Sequence, residues 1–126
     1  MDEYYRIAAA LPSPLCGELQ QLDPRCAPLV QEIRLRAGQP VQFTIKGRLT
    51  PAARYLPQAG HLQCMQPRQL QDCFLQLCGH SLYAYEEELR QGFFTILNGD
   101  RIGVAGSWSG NGFSAVTSLN LRVARG

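Results

Sequence analysis

The chain has 126 residues, which is enough for one domain with a single hydrophobic core and too few for two domains of ordinary size. Apolar residues make up 45% of it and charged residues 17%, the balance of a folded domain rather than a disordered tail. The net charge of +2 is well below the excess typical of a general nucleic-acid-binding protein. No apolar run approaches the roughly 18 residues that a membrane helix needs, and the acidic opening MDEYYR has no apolar signal core, so we expect a cytoplasmic protein.

The first 30 residues are predicted to form a helical lead-in. Apolar side chains between residues 4 and 11 repeat at helical spacing, and Pro12 ends that run because its ring and missing N–H stop a helix. Ser13 followed by proline predicts the start of a second helix, with the serine at the N-cap, continuing to about residue 22. A short helical turn is predicted at 27–30.

From residue 31 the period of the pattern changes from helical to alternating. Residues 31–36 alternate between apolar and charged side chains, which predicts a strand with one buried face. A second alternating segment at 41–46 predicts a second strand, and a short third strand is predicted at 48–50. Residues 51–66 are weakly patterned and are predicted to be a loop with a strand near 61–64.

Two helices are predicted next. Apolar residues at i, i+3, i+4 and i+7 predict a helix over 67–79 that ends at its glycine. Ser81 is suited to cap a further helix over 82–91, in which Glu86 and Arg90 are placed for an i,i+4 ion pair.

The last third of the chain is predicted to be mainly strand. The dipeptide Asn98-Gly99 predicts a hairpin over 93–106, the glycine-containing segment 107–114 is predicted to be a flexible loop, and residues 118–125 alternate again. Strands therefore cluster in two groups separated by helices. We expect a single α+β domain with a mixed or antiparallel sheet of four to six strands and flanking helices.

The motifs of common enzymes are missing from this sequence. No glycine-rich segment is followed by Lys-Ser or Lys-Thr, so there is no phosphate-binding P-loop, and no nucleophile elbow occurs. The five cysteines are irregularly spaced without a tight pair, which favours packed or surface thiols over zinc ligands or disulfides. The glutamates at 86–88 are interpreted as a solvated helix face. We assign no catalytic residue and no metal ligand.

Basic residues are more informative by their position. Six lie between residues 34 and 68 with no acid among them. Arg34 and Arg36 are predicted on one side of a strand, which favours either pairing with acids such as Glu32 or a subunit or partner interface. A small nucleic-acid-binding module that uses the basic stretch 34–68 is the alternative function.

A second basic set lies near the C-terminus. Arg101, Arg122 and Arg125 fall on predicted strands, and no acid follows Asp100. Guanidinium groups without local carboxylates suit contacts with phosphates or with carboxylates of another domain.

Four segments together resemble the stage III sporulation protein AA family. They are EIRLRAGQP at 32–40, SLYAYEEELRQGFFTI at 81–96, NGDRIGVAG at 98–106 and SLNLRVAR at 118–125, and they occur in the family's order. Asp100 departs from the pattern, because the family is expected to have histidine in that turn.

The resemblance implies a fold and a setting. It implies that residues 1–126 are a non-catalytic, PAS-like N-terminal domain, with a lead-in over about 1–30 and a sheet-and-helix unit over about 31–125. It further implies a full-length ATPase similar to type II and type IV secretion motors, which energises a channel between mother cell and forespore. The P-loop domain with its ATP and magnesium would lie outside this chain, which itself would hold no cofactor.

The resemblance also implies partners and contacts. The expected partners are the chain's own P-loop domain, neighbouring subunits of a hexamer, and the channel's membrane proteins, in the mother-cell cytoplasm. Nucleic acid is not expected. Arg101, Arg122 or Arg125 would contact nucleotide or the ATPase core, and Arg34 and Arg36 would face a subunit or partner. A small enzyme in its own right is the remaining class, although without a P-loop we expect no ATP hydrolysis by this chain.

Overall fold

One six-stranded sheet forms the centre of the computed structural model, which describes residues 1–79, 82–96, 99–109 and 112–125. The order of the strands across the sheet is β3-β2-β1-β6-β5-β4, and every neighbouring pair is antiparallel. The strands are β1 Val30–Arg36, β2 Gln42–Ile45, β3 Arg48–Pro51, β4 Phe93–Thr95, β5 Arg101–Ser109 and β6 Gly112–Arg122. The helices are α1 Glu3–Ala9, α2 Leu15–Leu19, α3 Pro67–Leu77 and α4 Glu86–Leu89. The predicted α+β class is confirmed.

The alternating pattern of the strands separates the sheet into a covered face and an open face. On the covered face Ile33 of β1 lies between Phe43 of β2 and Leu121 of β6, and all three are fully buried. Helices supply the other side of this core. The ring of Tyr4 in α1 lies 5.9 Å from that of Phe43 in an edge-to-face arrangement.

The open face carries the intervening residues of the same strands. It includes residues 32, 34 and 36 of β1, residues 118, 120 and 122 of β6, and residues 101, 103 and 105 of β5. None of these nine residues is buried, so no helix of the described chain covers them. We use the name open face for this side of the sheet, together with its continuation onto β2, β3 and β4.

Hydrogen bonds of its N-cap and of its first turn hold α1 in place. The Asp2 carboxylate accepts from the Tyr4 backbone N–H at 2.8 Å, as a helix N-cap does. The buried Tyr4 hydroxyl donates to the Leu19 carbonyl at 2.7 Å, and the Tyr5 hydroxyl donates to the Leu22 carbonyl. These bonds join α1 to the segment that contains α2.

The amphipathic helix predicted over 67–79 is confirmed as α3, which ends two residues earlier. Gln66 and Gln69 form a reciprocal capping box at the start of this helix. Pro67, which follows Gln66, occupies the first turn, where its missing N–H costs nothing. Its apolar stripe is buried against β6 and the rest of the core. None of the described helices is long and apolar enough to cross a bilayer.

Two predictions in the first half of the chain are wrong. The second helix begins at Leu15 with Pro14 at its N-cap, and no side chain caps it, so Ser13 does not have the predicted role. Near 61–64 a single turn of 3₁₀ helix, Gly60–Leu62, replaces the predicted strand. The Leu62 carbonyl accepts a hydrogen bond from the Val41 N–H, which joins this segment to the sheet at one point. The segment therefore contacts the sheet without running along it as a strand.

In the second half, the predicted loop at 107–114 is wrong at both ends. β5 continues to Ser109 and β6 already begins at Gly112, so the two strands form a long antiparallel ribbon. Gly106 permits this close pairing, because a Cβ at that position would lie 2.0 Å from the Ala115 carbonyl oxygen. Ser81 and Asn98, named in the cap and hairpin predictions, lie outside the described residues.

The helix predicted over 82–91 is shorter than expected. A 3₁₀ turn, Leu82–Tyr85, precedes α4, and the chain turns again at Gly92, which has a φ of 90°. The predicted ion pair is present, with Arg90 Nη2 at 3.1 Å from Glu86 Oε1. The hairpin pairing of β4 with β5 is confirmed as well.

Candidate functional site: arginines of the open sheet face

Two arginine sets that are distant in sequence lie on one surface. Arg34 and Arg36 occupy the open face of β1, as predicted. Because β1 pairs with β6 and β6 with β5, Arg122 and Arg101 lie on the same face, and these two are direct cross-strand partners. Along the sequence these arginines form two separate groups, and the order of the strands places all four on one surface.

Arg101 and Arg122 form the most concentrated positive charge of this face. Directly opposed residues of antiparallel strands have Cα atoms about 5 Å apart, and like charges there destabilise the pair. Both arginines are exposed, and neither forms an ion pair within the described chain. The guanidinium carbon of Arg101 lies 4.3 Å from the centre of the Phe93 ring, which orients this side chain.

A shallow depression lies beside this arginine pair. Its volume is about 290 Å³, and its lining comprises Thr95, Gly99, Arg101, Arg122, Val123 and Ala124. No acidic side chain is among these lining residues. The depression therefore suits an anionic group, such as a phosphate or a carboxylate.

Of the two arginines on β1, Arg34 is hydrogen-bonded to a polar neighbour. Arg34 Nε donates to Asn120 Oδ1 at 3.3 Å across the β1–β6 pair. Glu32 lies opposite Arg122 in register, but its carboxylate accepts from the Thr44 hydroxyl at 3.0 Å. Pairing with Glu32 was one interpretation of Arg34 and Arg36, and neither forms such an ion pair in the described structure.

Arg125 differs from the other arginines named from the sequence. Its guanidinium bonds Asp2 at 2.8 Å, and it also donates to the carbonyls of Val30 at 2.6 Å and Ala27 at 2.9 Å. The argument that it lacks a neutralising partner is therefore wrong. The hydrogen bond from Arg125 lowers the pKa of the Asp2 carboxyl below its ordinary value.

A second ion pair beside it was not foreseen from the sequence. Arg6 holds the carboxylate of Asp100 with two bonds of 2.8 and 3.0 Å, and the side chain of Asp100 is fully buried. The same carboxylate accepts from the Ala124 N–H at 2.9 Å. We call Asp2, Arg6, Asp100 and Arg125 the terminal clasp, since they tie α1 to the end of the chain.

Of the two residues in this ion pair, Asp100 is the one that the sequence had already singled out. It departs from the pattern expected of the family, and its partner Arg6 lies 94 positions away. No local pattern connects the two residues, because only the packing of α1 against the end of β6 brings them together. The side chain lies next to Arg101 in sequence but points away from the open face, into the clasp.

The five cysteines and His61 do not converge on a common centre in the part of the chain that the structure describes. Burial raises the pKa of the Cys73 and Cys78 thiols to about 12, which keeps both protonated at neutral pH. His61 Nδ1 lies 2.8 Å from Glu18 Oε2. Within the described residues no three His, Cys, Asp or Glu side chains are placed to hold a metal ion.

The basic stretch 34–68 does not form one surface. Arg34 and Arg36 lie on the open face, whereas Arg68 is in the first turn of α3, in the helix layer on the other side of the sheet. Arg54 belongs to a 3₁₀ turn that follows β3. The segment on which the nucleic-acid alternative rested is therefore divided between different parts of the molecule.

Comparison with known proteins gives two concordant matches. The family profile described as Sporulation stage III, protein AA matches residues 7–125. Stage III sporulation protein AA of Bacillus subtilis (strain 168) is 30% identical over 127 aligned residues, which cover 94% of this chain and 38% of the relative. The chain thus spans well under half the length of that curated relative. No solved structure matches significantly. Because the family profile covers the whole sheet and the helices α2, α3 and α4, this chain belongs to the stage III sporulation protein AA family.

Proposed function

We propose that this chain is the non-catalytic N-terminal assembly domain of an ATPase that acts in sporulation. Membership in the stage III sporulation protein AA family supports the sporulation role. The single observation that carries the assembly role is the pair Arg101 and Arg122, adjacent and exposed on neighbouring strands without a carboxylate partner in the described chain.

The proposed task of this pair is to present positive charge to a P-loop core. Guanidinium groups stabilise the charge that develops on phosphate oxygens during phosphoryl transfer, and they bind carboxylates equally well. The depression next to Arg101 and Arg122 gives such an anionic group room to approach both side chains. Their backbone is fixed by sheet pairing on both sides of β6, so the charge is displayed on a rigid support.

The ATPase activity, its ATP and magnesium, the hexamer and the channel between mother cell and forespore all belong to this proposal. They concern the full-length protein, and this chain spans only 38% of the length of the Bacillus subtilis relative. The 126 residues contain no P-loop motif, so we expect no ATP hydrolysis by the chain alone.

The test is ATP turnover by the full-length protein carrying Arg101→Ala, Arg122→Ala or both. We expect each single change to lower kcat by at least about tenfold, since loss of a charge-stabilising group costs on the order of 10²- to 10⁵-fold in enzymes where it acts directly on the reacting phosphate or oxyanion. Arg54→Ala removes an exposed arginine outside the sheet and is the matched control. Unchanged turnover in the double variant would refute the proposal.

A further inference from the structure

The charges of the molecule are distributed unequally between its two sides. All ten acidic residues lie in the described ranges, and Glu32 is the one located on the open face among the strands β1, β5 and β6. The same three strands place four arginines there, at positions 34, 36, 101 and 122. Four of the other nine acids form ion pairs with arginines elsewhere, namely Asp2, Asp23, Glu86 and Asp100.

From this imbalance we propose that the open face binds a carboxylate-rich segment of a protein partner. The inference rests on the assembly role proposed above and names the chemistry of what is assembled. Arg101 directly opposes Arg122, so these two guanidinium groups repel each other, and the single carboxylate of Glu32 offsets only one of the four positive charges on β1, β5 and β6. A partner rich in aspartate or glutamate removes that repulsion and gains charge-assisted hydrogen bonds.

The composition of the face favours a protein ligand over a nucleic acid. Sequence-tolerant binding of single strands relies on aromatic rings on which bases stack. On β4 the register places Phe93 on this face, and Arg101 already covers its ring, so this ring is not free for a base to stack on. The cations are all arginine, which is enriched in protein interfaces where lysine is depleted.

Apolar and amide groups complete the character of a protein-binding surface. Leu49 on β3 is 48% exposed, and it is the register partner of Thr44 on the same face. Gln42 and Asn120 flank Arg34 on its two neighbouring strands and add amide donors and acceptors to the face. The six strands together span about 24 Å at ~4.8 Å per neighbour, which an extended segment of about seven or eight residues would cross.

The experiment uses the 126-residue chain and a fluorescein-labelled peptide of about eight glutamates, long enough to cross the sheet. Fluorescence anisotropy measures binding, with a peptide of the same length made of glutamine and an oligothymidylate as comparison ligands. We expect the glutamate peptide to bind in a salt-dependent manner and more tightly than either comparison ligand. Tighter binding of the oligothymidylate, or no binding of the glutamate peptide at low salt, would overturn the proposal.

Matched variants distinguish this surface from general charge attraction. Arg34→Gln with Arg36→Gln, and separately Arg101→Gln with Arg122→Gln, are each expected to weaken peptide binding by about tenfold. Arg54→Gln with Arg68→Gln removes the same net charge outside the open face and is expected to change affinity by less than about twofold. Equal losses in all three double variants would contradict the proposal.

Amide chemical-shift mapping adds a readout that does not depend on affinity. The largest shifts are expected in β1, β5 and β6, and shifts concentrated in α3 instead would contradict the proposal. Peptide binding and ATP turnover are measured on different preparations, so either proposal can fail alone. A full-length protein indifferent to loss of Arg101 and Arg122 would refute the nucleotide contact, whereas peptide binding by the 126-residue chain would still support the acidic partner.

Discussion

Arg122 and Arg125 lie three residues apart, yet their surroundings are opposite. Arg125 belongs to the terminal clasp, where a carboxylate and two carbonyls bind its guanidinium and its side chain is 27% exposed. Arg122 belongs to the open face, where its nearest cross-strand neighbour on β5 is another arginine. The difference shows that the same residue type stabilises the fold in one region and stays exposed without an ion pair among the described residues in the other.

Removing Asp100 should have the largest effect, because it breaks the buried half of the clasp. Asp100→Ala removes the buried carboxylate that accepts from Arg6 and from the Ala124 N–H and leaves Arg6 its 3.2 Å bond to the Ala124 carbonyl, so we expect the free energy of unfolding to fall by about 3 kcal/mol. Urea denaturation measures this change in the free energy of unfolding. Arg122→Ala is the control from the open face, and a loss of under about 1 kcal/mol for Asp100→Ala would contradict the structural role.

The Tyr4 hydroxyl should contribute less, since it forms one neutral hydrogen bond. Tyr4→Phe removes the buried bond to the Leu19 carbonyl and is expected to lower the free energy of unfolding by about 1–2 kcal/mol. Tyr55→Phe is the matched control: its ring also packs on Phe43, but its hydroxyl has no hydrogen-bond partner among the described residues. Equal effects of the two changes would show that the α1 anchor depends on ring packing alone.

The outer half of the clasp should respond to pH. The folded-state pKa of Asp2 is lowered below its ordinary 3.8, chiefly by the hydrogen bond from Arg125. The ionised carboxylate therefore stabilises the fold above the unfolded pKa, and this contribution is lost as pH falls through the folded pKa. Asp2→Asn preserves a helix N-cap, so we expect it to lower the free energy of unfolding by about 1 kcal/mol at neutral pH.

Denaturation of the wild type and Asp2→Asn between neutral pH and pH ~2.5 measures this contribution. The difference between the two proteins should shrink toward zero below the folded pKa of Asp2. A difference that stays constant across the range would mean that the charge of Asp2 does not act through Arg125.

The smallest effect is expected on the open face. Arg122→Gln removes the like charge opposite Arg101 and also the opposite charge across from Glu32, so the two effects offset each other and the free energy of unfolding should change by no more than about 0.5 kcal/mol. Raising the salt concentration to about 0.5 M should bring the difference closer to zero by screening. A loss of more than 1 kcal/mol, on the order of a full hydrogen bond, would place Arg122 with the clasp residues instead.

Local pattern predicted much of the fold correctly and failed where nonlocal contacts decide. The alternation in 31–36 predicted β1 and the shared side of Arg34 and Arg36, and helical spacing predicted α3. The glycines of 107–114 favoured a loop, but pairing with the partner strand extended β5 through that region. At 61–64 the apolar pattern was too short to separate a strand from a single 3₁₀ turn.

The candidate site was predicted residue by residue but not as a surface. The sequence by itself determined which side chains of each strand share a face, because the period of two in a strand is a local property. Only the tertiary structure decided that β6 lies between β1 and β5, which unites Arg34 and Arg36 with Arg101 and Arg122. It also decided that Arg125 faces Asp2 and that Asp100 faces Arg6, since these pairs are separated by more than 90 residues and only the packing of α1 brings their charges into contact.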